Sequence, residues 1–332
     1  MKVSIFDVAK KSGLSVVTVS RVLNHSTTVR PKNRDKVLQA IKDLDYQPSA
    51  AARSLALGRT GIIGLTLTTL DDSFLDLVVK EINDRLTEYG YFLAISVYSP
   101  EEDALQSPLF QEDRVDGLIL LSPIHEEPYV QELKNKKIPF VMLDNQLQNP
   151  FVPSVIVNNR QGGYEAAKHL IDLGHRKIAH ISGPDPFRSS RERELGFRSA
   201  LNEIGIQPFA VERGEFTISS GYDIATKWVL SGNLPTAIFA ADDHIALGVI
   251  NALQMAGIRI PQDVSVVGFD DQLVASQLHP RLTSVRQPAE KIAQHGVDLL
   301  LQWINESSKP NITTPLQFEP ELIIRESTAR LN

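Results

Sequence analysis

The chain has 332 residues, no cysteine and a formal net charge of −6. Without cysteine it can form neither disulfides nor Cys-based zinc or iron–sulfur sites. No apolar run is long enough to span a membrane, and the first residues lack the apolar core and cleavage site of a signal peptide. We therefore expect a cytoplasmic protein with no membrane partner.

The charge is unevenly distributed along the chain. Residues 1–60 contain eleven Lys and Arg against four Asp and Glu, a net charge of +7, which leaves −13 for the remainder. A basic segment on an acidic body indicates a polyanion, such as nucleic acid, as the partner of that segment alone. A basic surface that only aids solubility is the alternative.

The basic segment begins with two short predicted helices. Ser4 and Asp7 form a capping box for the first helix, which Gly13 ends. Ser15 caps a second helix from Val16 to Leu23. Two short helices joined by a tight glycine turn are typical of a helix-turn-helix unit.

A third helix is predicted from about Lys32 to Asp45. Its spacing places four apolar residues on one inward stripe, namely Val37, Leu38, Ile41 and Leu44. Three helices in fewer than 50 residues form a small core. A helical bundle without a DNA role remains the alternative at this point.

The second helix has the surface of a DNA-recognition helix. The helical period turns three residues inward, namely Val19, Val22 and Leu23. It leaves four on the outer face, namely Val16, Val17, Ser20 and Arg21. Exposed valines suit thymine methyl groups, and an arginine suits guanine O6 and N7 in the major groove.

Four short motifs run through this head: Asp7-Val8-Ala9, Gly13-Leu14-Ser15, Thr18-Val19-Ser20-Arg21-Val22-Leu23-Asn24 and Tyr46-Gln47-Pro48. Together they resemble the N-terminal segment of the LacI/GalR family of bacterial transcriptional regulators. The resemblance implies that positions 16, 17 and 21 read an operator. The candidate DNA contacts in the head are Ser15, Val16, Val17, Thr18, Ser20, Arg21 and Asn24. The family usually caps its third helix with Ser or Thr, whereas Arg30 followed by Pro31 stands here.

Residues 48–58 form an Ala-rich stretch capped by Ser49 and stopped by Gly58. A helix of about two turns is unstable in water without a partner. The resemblance implies that paired hinge helices form on the operator and insert a leucine into the minor groove. Leu55 matches that leucine, and Ala52 is the second candidate contact of the hinge. A helical linker with an incidental leucine is the alternative.

From Gly61 onward, short apolar runs alternate with amphipathic stretches. The predicted strands are 62–67, 92–97, 115–121, 140–143, 155–157, 178–181, 237–241 and 264–267. The predicted helices are 74–89, 101–111, 126–136, 160–173, 190–204, 219–231 and 243–257. Apolar strands that alternate with helices indicate doubly wound parallel sheets, and this number of strands favours two lobes with a ligand cleft between them.

The same family resemblance extends over this body through the motifs 178–183, 191–197, 242–248, 266–270 and 282–285. It implies an α/β core like that of periplasmic sugar-binding proteins, with two lobes connected by three crossing strands. The expected domains are a helix-turn-helix head at 1–47, a hinge at 48–60 and a core at 61–332. Within the core we expect lobe one at about 61–158 plus 288–315, and lobe two at about 159–287 plus 316–330.

Polar and aromatic side chains that follow the predicted strands are candidates for binding a small-molecule effector. They are Phe74, Asp144, Arg193, Phe216, Asp242, Asp270 and Gln287, and the resemblance places each at an effector-contacting position. Carboxylates and a guanidinium pair well with vicinal hydroxyls, which favours a sugar or polyol over an anion. The alternative for Asp242 and Asp270 is that they are helix caps after strands.

Other motifs point away from catalysis. The chain lacks a dinucleotide fingerprint, a phosphate-binding P-loop and a nucleophile elbow, and its histidines lack metal-ligand spacing. We therefore expect no catalytic residue, metal or cofactor. The strand at 322–325 is followed by no heptad segment, which favours a homodimer on a pseudo-palindromic operator.

These observations predict a sequence-specific DNA-binding regulator, most simply a repressor, whose operator affinity is controlled by a small metabolite such as a sugar. The alternatives are a solute receptor without a DNA role, a regulator that uses a protein co-effector, and a sugar-modifying enzyme.

Overall fold

The computed structural model describes residues 3–23, 26–46, 58–70, 73–98, 107–111, 114–124, 126–145, 152–306 and 314–331. The chain divides into two compact units, Met1–Gly61 and Ile62–Asn332. No helix in the described ranges combines the length and apolarity that a bilayer crossing needs.

The first unit contains three helices in its described residues: α1 (Ile5–Ser12), α2 (Val16–Leu23) and α3 (Pro31–Asp43). The capping box is present in full, because Ser4 Oγ accepts from Asp7 N while the Asp7 carboxylate accepts from Ser4 N. Gly13 then ends α1 in the left-handed conformation at φ 68°.

The third helix differs from its prediction in two respects. It begins at Pro31 rather than Lys32, and Arg30 at its N-cap makes no capping side-chain bond. Leu38, predicted to face inward, is 52% exposed, because Val37 and Ala40 supply the buried stripe instead. The core of the head therefore rests on small residues, chiefly Val8, Val19, Val22 and Val37.

The second unit is built on two sheets, each of six strands among the described residues. Sheet one has the order β11-β5-β4-β3-β1-β2, and sheet two has the order β12-β10-β9-β8-β6-β7. The strands of sheet one are β1 (Ile62–Leu67), β2 (Phe92–Val97), β3 (Gly117–Leu121), β4 (Phe140–Leu143), β5 (Ser154–Val157) and β11 (Leu316–Phe318). Those of sheet two are β6 (Ile178–Ser182), β7 (Ala210–Arg213), β8 (Ala237–Ala240), β9 (Ser265–Asp270), β10 (Thr283–Arg286) and β12 (Glu321–Ile323).

Helices pack on these sheets, as near-continuous buried strands require. They are α4 (Ser73–Glu88), α5 (Glu126–Asn135), α6 (Asn159–Asp172), α7 (Arg188–Glu203), α8 (Ile218–Ser231), α9 (Asp243–Met255), α10 (Leu273–Gln277) and α11 (Ala289–Glu306). Of the helix predicted over 101–111, residues 107–111 are described, and Pro108–Phe110 form one 3-10 turn. Strands β7, β10 and β11 and helices α10 and α11 were not predicted.

The chain passes between the two sheets at three places: after β5, after β10 and after β11. Because β11 pairs with β5 in sheet one, the last crossing lies at residues 319–320 and not at the expected boundary of 315/316. Two crossings are tied together, since Asn158 Nδ2 donates to the Glu319 carboxylate at 3.0 Å.

Helices α6 and α7 cross at two glycines, where the backbone of each helix lies directly against the other. A Cβ on Gly163 would lie 2.1 Å from Arg193 O, and one on Gly196 would lie 1.9 Å from Arg160 O. A carbonyl group of the neighbouring helix cannot rotate away as a side chain can. A Cβ therefore does not fit, and glycine is required at both positions. The crossing fixes the backbone of Arg193, which reaches the site described next.

Candidate functional site

Of the four residues predicted for the outer face of α2, two are exposed in the structure. Val17 is 61% exposed, and Arg21, one turn later, is exposed beside it. Ser15 caps the helix by accepting from Thr18 N at 3.2 Å. Val16, which was predicted to face outward, is partly buried and packs against the core of the head.

Ser15 is exposed, whereas Thr18 and Ser20 are half-buried on the flanks of α2. Val17 and Arg21 lie four positions apart and so share one helix face. The candidate contacts Asn24, Ala52 and Leu55 lie outside the described residues.

The second unit contains an interlobe cleft of about 310 Å³ lined by residues of both sheets' loops. Six of the seven predicted effector residues line it: Phe74, Asp144, Arg193, Phe216, Asp270 and Gln287. Five of these follow or lie near the carboxyl ends of parallel strands, where α/β folds place their ligands. The sixth, Phe74, lies in the first turn of α4, the helix that follows β1.

A buried pair of opposite charges forms the floor of the interlobe cleft. Arg193 Nη2 lies 3.3 Å from Asp270 Oδ1, and both side chains are 5% exposed. Gln287 Nε2 donates to the same carboxylate oxygen at 2.6 Å. Gln287 belongs to the second crossing between the sheets, so the floor joins lobe two to the connecting segment.

Further contacts fix the Arg193 guanidinium. Its Nε donates to Asn159 Oδ1 at 2.9 Å, and its Nη1 donates to Ala241 O at 2.6 Å. Its Cζ lies 3.7 Å from the centroid of the Phe269 ring, within cation–π range. A guanidinium held on three sides presents its remaining N–H groups in a fixed direction.

Two carboxylates reach the interlobe cleft through left-handed backbone. Asp270 has φ 97° and Asp144 has φ 53°, conformations that Asp and Asn tolerate better than most residues. Ser122 Oγ donates to Asp144 Oδ2 at 2.9 Å. Both acids therefore turn off their strand ends toward the cavity.

Asp242 is placed differently from its prediction. Its carboxylate accepts from Ile245 N at 2.7 Å as the N-cap of α9, and the residue is absent from the cavity lining in the described structure. Of the two readings that the sequence left open, the capping geometry is the one observed. Asp242 thus differs from the other six predicted effector residues, which line the interlobe cleft.

Asp243 is a buried acid that sequence reasoning did not select. Complete burial, together with the neighbouring charge of Asp270, raises its pKa well above the ordinary value. Ser284 Oγ and Gln272 N donate to its two oxygens at 2.6 and 2.7 Å. These two bonds hold the Asp243 carboxyl between the start of α9, strand β10 and the segment that follows β9.

Aromatic rings line the apolar side of the interlobe cleft. Phe216 and Phe187 lie with ring centroids 5.7 Å apart, and Phe74 lines the cavity with them. The Phe216 ring rests on Gly183, where a Cβ would meet it at 2.3 Å. Rings beside charged hydrogen-bonding groups suit a molecule with one apolar and one hydroxylated face.

Sequence reasoning missed several lining residues, among them Ser122, Phe187 and Glu215. Ser122 directly follows β3, so taking the residue after every predicted strand would have found it. The charged residues among the described lining are Asp144, Glu215, Asp270 and Arg193, an excess of acids. In the described ranges no group of three or more His, Asp or Glu could hold a metal ion.

Comparison with known proteins gives matches to both units. Residues 4–49 match the bacterial regulatory proteins of the lacI family, and residues 167–328 match the periplasmic binding protein-like domain. The HTH-type transcriptional regulator DegA of Bacillus subtilis (strain 168) is 34% identical, with 100% of each chain covered.

Two solved structures resemble the chain over nearly its full length. The lac repressor dimer bound to operator and the anti-inducer ONPF has a TM-score of 0.89 at 30% identity, covering 99% of this chain and 100% of that chain. The transcriptional regulator CelR in complex with cellobiose has a TM-score of 0.74 at 31% identity, covering 98% and 100%.

Proposed function

We propose that this chain, which belongs to the lacI family of bacterial regulatory proteins, represses transcription under the control of a neutral sugar. The sugar binds in the interlobe cleft and changes the affinity of the protein for its operator. The protein acts as a homodimer on a pseudo-palindromic operator in the bacterial cytoplasm, as a regulator and not an enzyme. The similar lac repressor dimer, bound to operator and anti-inducer, supports this assembly.

The observation that carries the proposed effector class is the Arg193–Asp270–Gln287 floor beneath the aromatic rings. Asp270 and Asp144 accept hydrogen bonds from sugar hydroxyls, and Arg193 donates to a hydroxyl or ring oxygen. The Phe74 and Phe216 rings cover the apolar face of the sugar. The excess of acids disfavours a phosphate or carboxylate in the same position.

Control of DNA binding follows from two lobe arrangements with different sugar affinities. A sugar shifts the balance between them by as much as its affinity differs between the two. Because Gln287 lies on a crossing segment and bonds Asp270, occupation of the interlobe cleft acts directly on the connection between the lobes. The alternative of a solute receptor does not account for the lacI-family head at residues 4–49.

The test combines sugar binding with operator binding. The operator is first selected from random DNA by the purified protein, and thermal shifts are then recorded with neutral sugars, uronic acids and sugar phosphates. We expect a neutral sugar to stabilise the protein by about 2–3 kcal/mol at 100-fold excess over its Kd, and to change operator affinity. Tighter binding of a sugar phosphate than of any neutral sugar would overturn the proposal of a neutral effector. If no compound shifts the melting temperature, a protein co-effector is favoured instead.

We expect Arg21→Ala to lose about 1–3 kcal/mol of operator affinity and to relax sequence preference at one base pair of each half-site. The exposed guanidinium on α2 is the group that can bond guanine in the major groove. The measurement is competition binding against operators with single base-pair changes.

Arg30→Ala serves as the matched control for Arg21→Ala, because Arg30 is exposed in the same head but precedes α3. It removes the same charge without touching α2. An equal loss of affinity for all DNA sequences in Arg21→Ala would reduce Arg21 to a phosphate contact.

A further inference from the structure

A second cavity of about 360 Å³ adjoins the interlobe cleft. This side pocket is more open to solvent than the interlobe cleft and is bounded by the loop 184–186 after β6, the loop 213–215 after β7, and Ser220 in the first turn of α8. Pro184 and Glu215 line both cavities. The two cavities are therefore neighbours that share these two residues as a common wall.

The walls of the side pocket are held in place by hydrogen bonds. Gly214 N donates to Ser182 O at 2.9 Å, which extends the β6–β7 pairing, and Glu215 N donates to Ser220 Oγ at 2.9 Å. Arg213 Nη1 donates to Ser182 Oγ at 3.0 Å. The pocket is thus formed by loops that are tied to sheet two and to α8.

The charge of Arg213 is already balanced. Its Nη2 lies 3.1 Å from Asp185 Oδ1 and 3.4 Å from Glu194 Oε2. A phosphate or carboxylate entering here would have to compete with these two acids and would also meet Glu215. The charges of the side pocket therefore favour an uncharged ligand.

The Glu215 carboxylate lies at the junction of the two cavities. The residue is exposed, and its side chain makes no hydrogen bond or ion pair with the other described residues. Phe216, the next residue, lines the interlobe cleft but not the side pocket. The chain thus presents an aromatic ring to the interlobe cleft and, one residue earlier, a carboxylate that can accept from two hydroxyls where the two cavities adjoin.

We propose that the side pocket is a second sugar subsite and that the effector is a neutral disaccharide. One ring occupies the interlobe cleft, and the other lies in the side pocket with hydroxyls bonded to Glu215 and to the Arg213–Asp185 pair. This inference rests on the proposed function, because it assumes that the interlobe cleft takes a sugar.

The test measures binding of monosaccharides and of the disaccharides that contain them, by calorimetry on the full-length protein. We expect one disaccharide to bind at least about tenfold more tightly than its better-binding component, since two or three additional hydrogen bonds form. Pro186→Trp, which fills the side pocket from a residue that does not line the interlobe cleft, is expected to remove this preference. Pro186→Ala leaves the pocket open and should keep it.

Glu215→Gln provides a second variant at an exposed position where folding is not at risk. It keeps the size of the side chain and removes the charge, so the disaccharide preference should fall by about three- to tenfold. A melting temperature close to that of the unchanged protein shows that the core of each variant is folded.

The outcomes separate the two proposals. A monosaccharide that binds as tightly as every disaccharide containing it, or an unchanged preference in Pro186→Trp, overturns the second subsite and leaves the proposed function standing. The absence of binding by any sugar overturns both.

Discussion

Asp270→Asn is expected to weaken sugar binding by about 10- to 100-fold, the loss typical of one hydrogen bond to a charged group. The substitution removes the negative charge while keeping the shape of the side chain. Asn also tolerates the backbone at φ 97°, whereas Ala there would add strain of its own. The affinity for operator without sugar should remain close to that of the unchanged protein, because the head is untouched.

The same substitution leaves Arg193 without its charged partner in a buried position. Removing one member of a buried ion pair is costly, so the melting temperature should fall as well. Asp263→Asn is the matched control, because Asp263 is a lobe-two acid paired with Arg259 on the surface. A sugar affinity in Asp270→Asn equal to that of the control would remove Asp270 from the site.

Gly163→Ala is expected to destabilise the second unit by about 3 kcal/mol or more and to impair sugar binding. A methyl group in a helix interior ordinarily stabilises by about 1 kcal/mol relative to glycine. Here it would lie 2.1 Å from Arg193 O, so helix α7 must retreat. Because α7 carries Arg193, the retreat displaces the guanidinium from Asp270.

Gly296→Ala makes the same change in helix α11, where the new methyl group meets Leu143 Cδ2 at 2.6 Å. A leucine side chain can rotate away, whereas a backbone carbonyl cannot. Thermal unfolding and calorimetric sugar titration of the two variants form the measurement. If Gly163→Ala melts at the temperature of Gly296→Ala, the backbone crossing does not constrain the site.

Most strands of the core could be predicted because they leave apolar runs in the sequence, such as Ile62–Leu67, which is buried along nearly all of its length. Strand β7 could not, because Ala210–Arg213 is a half-exposed edge strand with two charged residues. The exposure of Leu38 and the partial burial of Val16 depend on how three small helices tilt on each other, which helical spacing alone does not specify.

The candidate site, too, could be predicted from the sequence only in part. Asp242 and Asp270 both follow apolar strands, and nothing in their spacing separates a helix cap from a cleft residue. The backbone separates them: Asp242 has φ −146° and turns back onto the first turn of α9, whereas Asp270 at φ 97° turns toward Arg193. The side pocket was unpredictable for a related reason, because it depends on two loops meeting across β6 and β7.

The positions of β11 and β12 have a consequence for biosynthesis. These short strands, Leu316–Phe318 and Glu321–Ile323, supply one edge strand to each sheet, and they leave the ribosome after nearly all of the core. Strand β11 pairs with β5, which was made more than 150 residues earlier. Sheet one therefore cannot be completed until translation has passed residue 318, nor sheet two until it has passed residue 323, so a nascent chain carries two unfinished edges that are exposed to aggregation.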